Sequence, residues 1–255
     1  MKTFYFTDEL NDDFAQNNIK QKELSPDHTY INDHPIVRLV DFLLYRVIAT
    51  PFAWCYQKIK FGEKIVGKKL LKPYRKTGYF LYGNHTRAAG DAFTPTLISF
   101  PKKAFIVTNP DSVSIPVLGS IPERLGAIPL PTSRKGMQNF TKAVQTRAER
   151  NQVIVIYPEA HIWPYYVGIR PFRSTSFRYP AQAGKPVFTF TVTYHKRKFF
   201  KTPKTIVYID GPYLPDPEKT IKENQDSLRE NAYLGMLERS KLSSFEYVRY
   251  VKTEK

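Results

Sequence analysis

From Tyr79 onward the chain alternates short apolar runs with stretches of helical period, and this alternation constrains the fold more than any other feature. The apolar runs fall at 79–82, 104–108, 125–130, 152–157, 187–194 and 205–210. Each is short and rich in β-branched or aromatic residues, as buried strands are. Between them, 134–150 reads as a helix with Met137, Phe140, Val144 and Ala148 on one face. Residues 92–100 read as a helix or helical turn broken at Pro95. Asp216-Pro217-Glu218 offers a cap, a proline for the first helical position and an acid for the first turn, predicting a helix from there to about Lys241. Strands alternating with helices predict an α/β fold, a mixed β-sheet with flanking helices.

The N-terminal part is different. Residues 1–33 are polar, acidic and without clear period, and lack the basic-then-apolar order of a signal peptide. They carry a net charge of −4, the rest of the chain +20, and the whole +16. Such a basic body is drawn to anionic surfaces, whether bilayer, nucleic acid or acidic protein. Residues 36–56 form an apolar stretch with helical spacing at Leu39, Phe42, Leu43, Arg46 and Val47. Arg38, Asp41 and Arg46 interrupt it, and Pro51 falls in its second half. A crossing helix needs ~20 uninterrupted apolar residues. The stretch therefore predicts an amphipathic helix pair, either lying in a membrane interface beside the lysines at 58, 60, 64, 68, 69 and 72 or packed on the core. Three regions follow: an acidic segment at 1–33, an amphipathic helical segment at 34–72 and an α/β domain at 73–255.

Several classes of chemistry find no support. The single cysteine, Cys55, excludes an intrachain disulfide and fits a reducing compartment. The five histidines (28, 34, 85, 161 and 195) form no cluster with metal-ligand spacing. There is no Gly-rich phosphate loop and no dinucleotide fingerprint, so neither a metal nor a cofactor is expected. Nucleic acid is not an expected partner, because the 17 Tyr and 18 Phe fall mostly in apolar strand patterns. Core packing accounts for them better than base stacking.

Two blocks carry chemistry. In the first, the strand at 79–82 runs through Gly83-Asn84 to His85, with Asp91 six positions on. Imidazole titrates near neutral pH and can take a proton from a hydroxyl and return it. A carboxylate on its second nitrogen would fix the tautomer and support the imidazolium. The bland alternative is a loop histidine beside an aspartate that caps a helix. In the second block, the strand at 152–157 ends in Pro158-Glu159-Ala160-His161-Ile162-Trp163-Pro164 and leads to Arg170, Arg173 and Arg178. Guanidinium groups bind phosphate in a bidentate manner, so this loop reads as a sheet-edge site for an anionic ligand.

In order and spacing, these blocks resemble the 1-acylglycerol-3-phosphate (lysophospholipid) acyltransferases over residues 79–194. The first motif of that family has four residues between His and Asp. Here there are five, Gly90 takes the usual Asp place, and Asp91 is reached if Gly90 lets the loop bulge. The family's Gly-x-x-x-x-x-Arg block maps onto 126–132 without its arginine, for which Arg134 is the substitute. Its Pro-Glu-Gly-Thr-Arg block reads Pro158-Glu159-Ala160-His161-Ile162, and its late proline falls on Pro186. The resemblance implies a glycerolipid acyltransferase-like fold. It implies transfer of a fatty acyl group from acyl-CoA or acyl-carrier protein to a hydroxyl of a lysophospholipid such as lysophosphatidic acid, in phospholipid synthesis. These donors are co-substrates rather than cofactors. His85 would be the general base, supported by Asp91, with Asn84 stabilising the oxyanion. Glu159 would hold basic side chains and loop backbone in place near the acceptor, while Arg134, His161, Arg170 and Arg173 would help bind it. The expected location is peripheral, on the cytoplasmic face of an anionic membrane. The alternative is a non-catalytic membrane- or lipid-binding protein with the same fold.

Overall fold

The computed structural model describes residues 1–15, 23–114 and 118–253. Its elements run β1 (Lys2–Phe6), α1 (Pro35–Leu43), a π-helical turn (Leu44–Ala49), α2 (Thr50–Phe61), β2 (Lys64–Val66), β3 (Tyr79–Gly83), α3 (Gly90–Ser99) and β4 (Ala104–Thr108). There follow α4 (Ile121–Arg124), β5 (Ala127–Pro129), α5 (Arg134–Glu149), β6 (Val153–Ile156), α6 (Arg178–Ala183), β7 (Val187–His195), β8 (Lys204–Tyr213), α7 (Ile221–Ser240) and β9 (Val248–Lys252).

The main sheet has seven strands in the order β2-β8-β7-β3-β6-β4-β5. The five from β7 to β5 are mutually parallel, β8 returns antiparallel to β7, and β2 runs with β8. This is the mixed α/β sheet that the strand–helix alternation predicts. Every residue of β3 and β6 is buried, as expected of parallel strands covered on both faces. Alternation along them divides the core. Phe80, Tyr82, Ile154 and Ile156 pack with Phe140 and Val144 of α5 and with Leu228, Ala232 and Met236 of α7. Tyr79, Leu81, Val153 and Val155 pack on the other face with Ile98, Phe188 and Phe190. Because β3, β6 and β7 are parallel, their carboxyl ends share one edge, and the loops after β3 and β6 meet there.

Four expectations need correction. The helix pair at 36–56 is one continuous helical run, not two helices, and it extends from Pro35 to Phe61. Pro51 lacks an N–H and would press on the carbonyl one turn back. The π-helical turn before it widens the run, and Thr50 bonds the carbonyl of Tyr45 through both its N–H and its hydroxyl. Likewise, Pro95 does not break α3 but lies within it. The C-terminal helix begins at Ile221, not at the Asp216-Pro217-Glu218 signal. Asp216 caps only a turn, accepting the N–H of Glu218, whereas Thr220 and Glu223 form a reciprocal capping box. Finally, the acidic N-terminus is not patternless: β1 pairs in parallel with β9 in a second, two-stranded sheet. The strand Lys64–Val66 lies in the main sheet, so the region expected at 34–72 shares its last residues with the α/β body.

At the tip of β3 the close approach of strands requires glycine. A Cβ at Gly83 would overlap the ring of Phe190, which is itself fully buried on β7. Gly83→Ala is therefore expected to destabilise the fold by about 1–3 kcal/mol, as overpacking typically does. Urea unfolding measures the loss, and a Gly83→Ala/Phe190→Leu double variant should recover part of it.

Candidate active site

The loop after β3 brings His85 and Asp91 together. His85 Nδ1 lies 2.9 Å from Asp91 Oδ2. An ionised carboxylate only accepts, so Nδ1 carries the hydrogen and Nε2 keeps its lone pair. Nε2 has no hydrogen-bond partner among the described residues, and the histidine side chain is 19 % exposed. The Asp91 carboxylate is buried and also accepts the backbone N–H groups of Thr86 and Arg87, each at 2.9 Å. Between the two residues, positions 88–89 form a turn that leads into α3. Gly90 serves this differently from the expected bulge. Its φ is not positive, but a Cβ there would press on the Arg87 side chain at 3.1 Å.

Arg87 is the residue the sequence reading missed. Its buried guanidinium bonds Asp91 Oδ1 at 3.3 Å, Glu63 Oε2 at 2.9 Å and Thr94 Oγ1 at 2.8 Å. Burial opposes its charge, but Glu63 and Asp91 outweigh that and hold its pKa above the ordinary arginine value. Gln57, on α2, donates to the carbonyl of Gly90 at 2.6 Å. The signal for this network was faint: Gln57 and Glu63 lie 24 to 30 positions from Arg87 in a stretch read as amphipathic helix and basic run.

Tyr157, at the end of β6, completes the setting. Its ring stacks on the His85 ring at 4.4 Å between centroids and 20° between planes. Its hydroxyl donates to the Asp91 carbonyl at 2.6 Å. That carbonyl is the one whose helical donor would be the N–H four residues on, and that residue is Pro95, which has none. Burial holds the Tyr157 pKa well above its usual value, so the hydroxyl stays a donor.

The loop after β6 clamps the loop after β3. Glu159 is buried, accepting the His85 N–H at 3.1 Å through one oxygen and the Arg170 N–H at 3.2 Å through the other. Trp163 N–H bonds the His85 carbonyl at 3.2 Å and Tyr165 N–H the Thr86 carbonyl at 2.9 Å. Burial raises the Glu159 pKa, against the pull of Arg170 and of the two backbone donors. Glu159 thus holds the backbone of His85 and Arg170 from inside the protein.

Two expected substrate contacts are corrected by this geometry. Asn84 does not face an oxyanion: its amide is buried and spends both ends on the backbone of Val192, at 2.8 and 3.1 Å. Arg170 does not face a phosphate, because its guanidinium is buried and donates to the carbonyls of Glu159, His161 and Glu9. His161 turns its ring toward Asp13, 3.6 Å away. Trp163 is core, with its indole N–H on the carbonyl of Asp12 at 2.7 Å. Arg134 and Arg173 are exposed, without hydrogen-bond or ion-pair partners among the described residues. Arg134 opens α5 and Arg173 precedes α6.

The family model described as Acyltransferase matches residues 64–193. Its start coincides with β2, the first strand of the main sheet. The fold is similar to the crystal structure of the 1-acyl-sn-glycerophosphate (LPA) acyltransferase, PlsC, from Thermotoga maritima, with a TM-score of 0.52 and 16 % identity over 82 % of this chain and 98 % of that one. No curated protein sequence matches the chain.

The pairing of Tyr157 with Pro95 makes a specific test. Tyr157→Phe keeps the stacked ring but strips the buried Asp91 carbonyl of its donor, at an expected cost of about 1–3 kcal/mol in stability. In a Pro95→Ala background, where the helical N–H is restored, the same substitution should cost markedly less. A double-mutant cycle by thermal or urea unfolding measures the difference.

Proposed function

Because this chain belongs to the acyltransferase family, we propose that it moves a fatty acyl group from the thioester of acyl-CoA or acyl-carrier protein to a free hydroxyl of a lysophospholipid. The observation that carries this reading is the 2.9 Å contact between His85 Nδ1 and the buried Asp91 carboxylate, which leaves Nε2 as a free base at the carboxyl edge of the sheet. Nε2 takes the proton of the acceptor hydroxyl as its oxygen attacks the thioester carbonyl. Asp91, held by two backbone N–H groups and Arg87, stabilises the imidazolium without moving. The tetrahedral intermediate expels the thiolate, which recovers the proton from His85, leaving an ester and a free thiol. The attack is direct, with no acyl-enzyme. Arg134 and Arg173, exposed and unpaired among the described residues, are the candidates for the acceptor's phosphate. The fold relationship to the Thermotoga maritima enzyme, whose title names 1-acyl-sn-glycerophosphate, supports lysophosphatidic acid as the first acceptor to try.

The reading extends to peripheral attachment at an anionic membrane. None of the residues of α1 is buried, and Ile36, Leu39, Phe42, Val47 and Ile48 are all more than half exposed. This face is amphipathic and apolar rather than packed on the core. No helix of the described residues is long and apolar enough to cross a membrane.

Incubation with labelled acyl-CoA and a panel of lysolipids, read by mass spectrometry, tests the activity. His85→Ala is expected to lower the transfer rate on the order of 10²–10⁴-fold. Its thermal unfolding should remain cooperative, because Asp91 keeps two backbone donors and Arg87. A folded His85→Ala protein with near-normal activity would remove the mechanism, and absence of any acylated product from wild type would favour a lipid-binding protein of the same fold. Attachment is tested by flotation with vesicles: Leu39→Ser/Phe42→Ser should release the protein, and high salt should weaken binding.

A further inference from the structure

The connection between β7 and β8, residues 196–203, reads Lys-Arg-Lys-Phe-Phe-Lys-Thr-Pro. Phe199 is 84 % exposed and Phe200 57 %. Lys196, Lys198 and Lys201 beside them are exposed too. Within the loop the rings meet cations: the Arg197 guanidinium stands 3.8 Å from the Phe200 ring centre and Lys198 Nζ 5.4 Å from that of Phe199. Two adjacent phenylalanines held in water by their own turn are not explained by the core.

The tip has a defined place. Arg197 donates to the carbonyls of Ile59 at 3.3 Å and Lys60 at 2.9 Å, groups that the last turn of α2 leaves without helical partners. The tip therefore stands beside Ile59, which is 73 % exposed, and the exposed Lys58 and Lys60. It continues the surface presented by the N-terminal helical run. The direction follows from the sheet: Gly83, the last residue of β3, pairs with Phe190, and β7 runs on in the same direction to His195. Five further strand residues at 3.3 Å each carry β7 about 16 Å past the end of β3. The tip thus projects from the edge that holds His85, and Tyr194 on the way is 2.7 Å from the hydroxyl of Thr86, the neighbour of His85.

We propose that the β7–β8 tip is a second docking element, which inserts Phe199 and Phe200 into an anionic lipid surface and sets Lys196, Lys198 and Lys201 on its headgroups. In this arrangement the His85 edge of the sheet faces the bilayer, and a lysolipid reaches Nε2 without leaving it. The inference rests on the membrane attachment proposed above and adds to it an orientation. Charge would also suit an acidic carrier protein. The adjacent exposed rings, continuous with exposed Ile59, favour a bilayer, which takes up rings and cations together.

Flotation of the full chain with phosphatidylcholine vesicles, with and without phosphatidylglycerol, tests the proposal in three variants: Phe199→Ser/Phe200→Ser, Lys198→Glu/Lys201→Glu and Leu39→Ser/Phe42→Ser. Arg197 is left in place so that the loop keeps its anchor. Either hairpin variant is expected to lower partitioning onto anionic vesicles by about tenfold or more, with unchanged thermal unfolding. Hairpin variants that bind like wild type, while the α1 variant does not, would overturn the hairpin and leave the N-terminal attachment standing. The reverse pattern would support the hairpin and overturn the α1 contact, and a wild type that does not float would overturn both. Loss of affinity for acyl-carrier protein with vesicle binding intact would reassign the tip as a protein dock and end the proposal. Insertion is read directly from a polarity-sensitive fluorophore on Phe199→Cys in a Cys55→Ser background. A blue shift and quenching by brominated lipid are expected, and an unchanged spectrum would contradict insertion.

Discussion

The buried carboxylate of Asp91 is the interaction on which the rest of the site depends. It meets the His85 ring, two backbone N–H groups and the Arg87 guanidinium within 2.9 to 3.3 Å. An isolated carboxylate in such a place would be costly to bury. Arg87 and the backbone donors offset that cost, and the same guanidinium also holds the buried carboxylate of Glu63. Buried ion pairs of this kind contribute little net stability compared with apolar packing, but removing one partner strands the others. Their value here is geometric: the contacts on Asp91 direct its carboxylate at Nδ1 of His85.

That geometry is closed from outside by parts of the chain far apart in sequence. Glu159 ties the His85 backbone to Arg170, and Arg170 reaches the carbonyl of Glu9. The segment around β1 then lies over the loop after β6, where Phe6, Phe14 and Tyr250 enclose Trp163. The segment 6–14 is therefore a strap on the loop that clamps the candidate site. The α2 helix plays the matching part on the other side, through Gln57 and the Glu63 that follows it. A helix whose outer face is apolar and exposed is thus coupled by its inner face to the base that would do the chemistry.

The direction of the strands unites these features. Parallel β3, β6 and β7 deliver His85, Glu159 and the hairpin tip to one edge, and the end of α2 is fastened there by Arg197. The candidate base and the proposed lipid-facing groups share that edge.

The sequence alone determined the local terms of this structure. Apolar runs specified the strands β3 to β8 and helical period specified α5, whereas β1, β2 and β9 carry no such run and were set by pairing across the fold. The contact between His85 and Asp91 was readable, since both residues lie on one short loop. What it could not decide were contacts made across the fold. The helix signal at Asp216 caps only a turn, and α7 begins one turn later, where Thr220 and Glu223 form a reciprocal capping box. Three polar side chains after β3 and β6 also depend on partners from 24 to 161 positions away: Glu63 for Arg87, Val192 for Asn84, Glu9 for Arg170. A charged or amide side chain near a strand end looks like a ligand group in sequence. Tertiary structure decided which of them face solvent, because a buried polar group must find a partner within the protein, and that partner is set by topology rather than by neighbours in the chain.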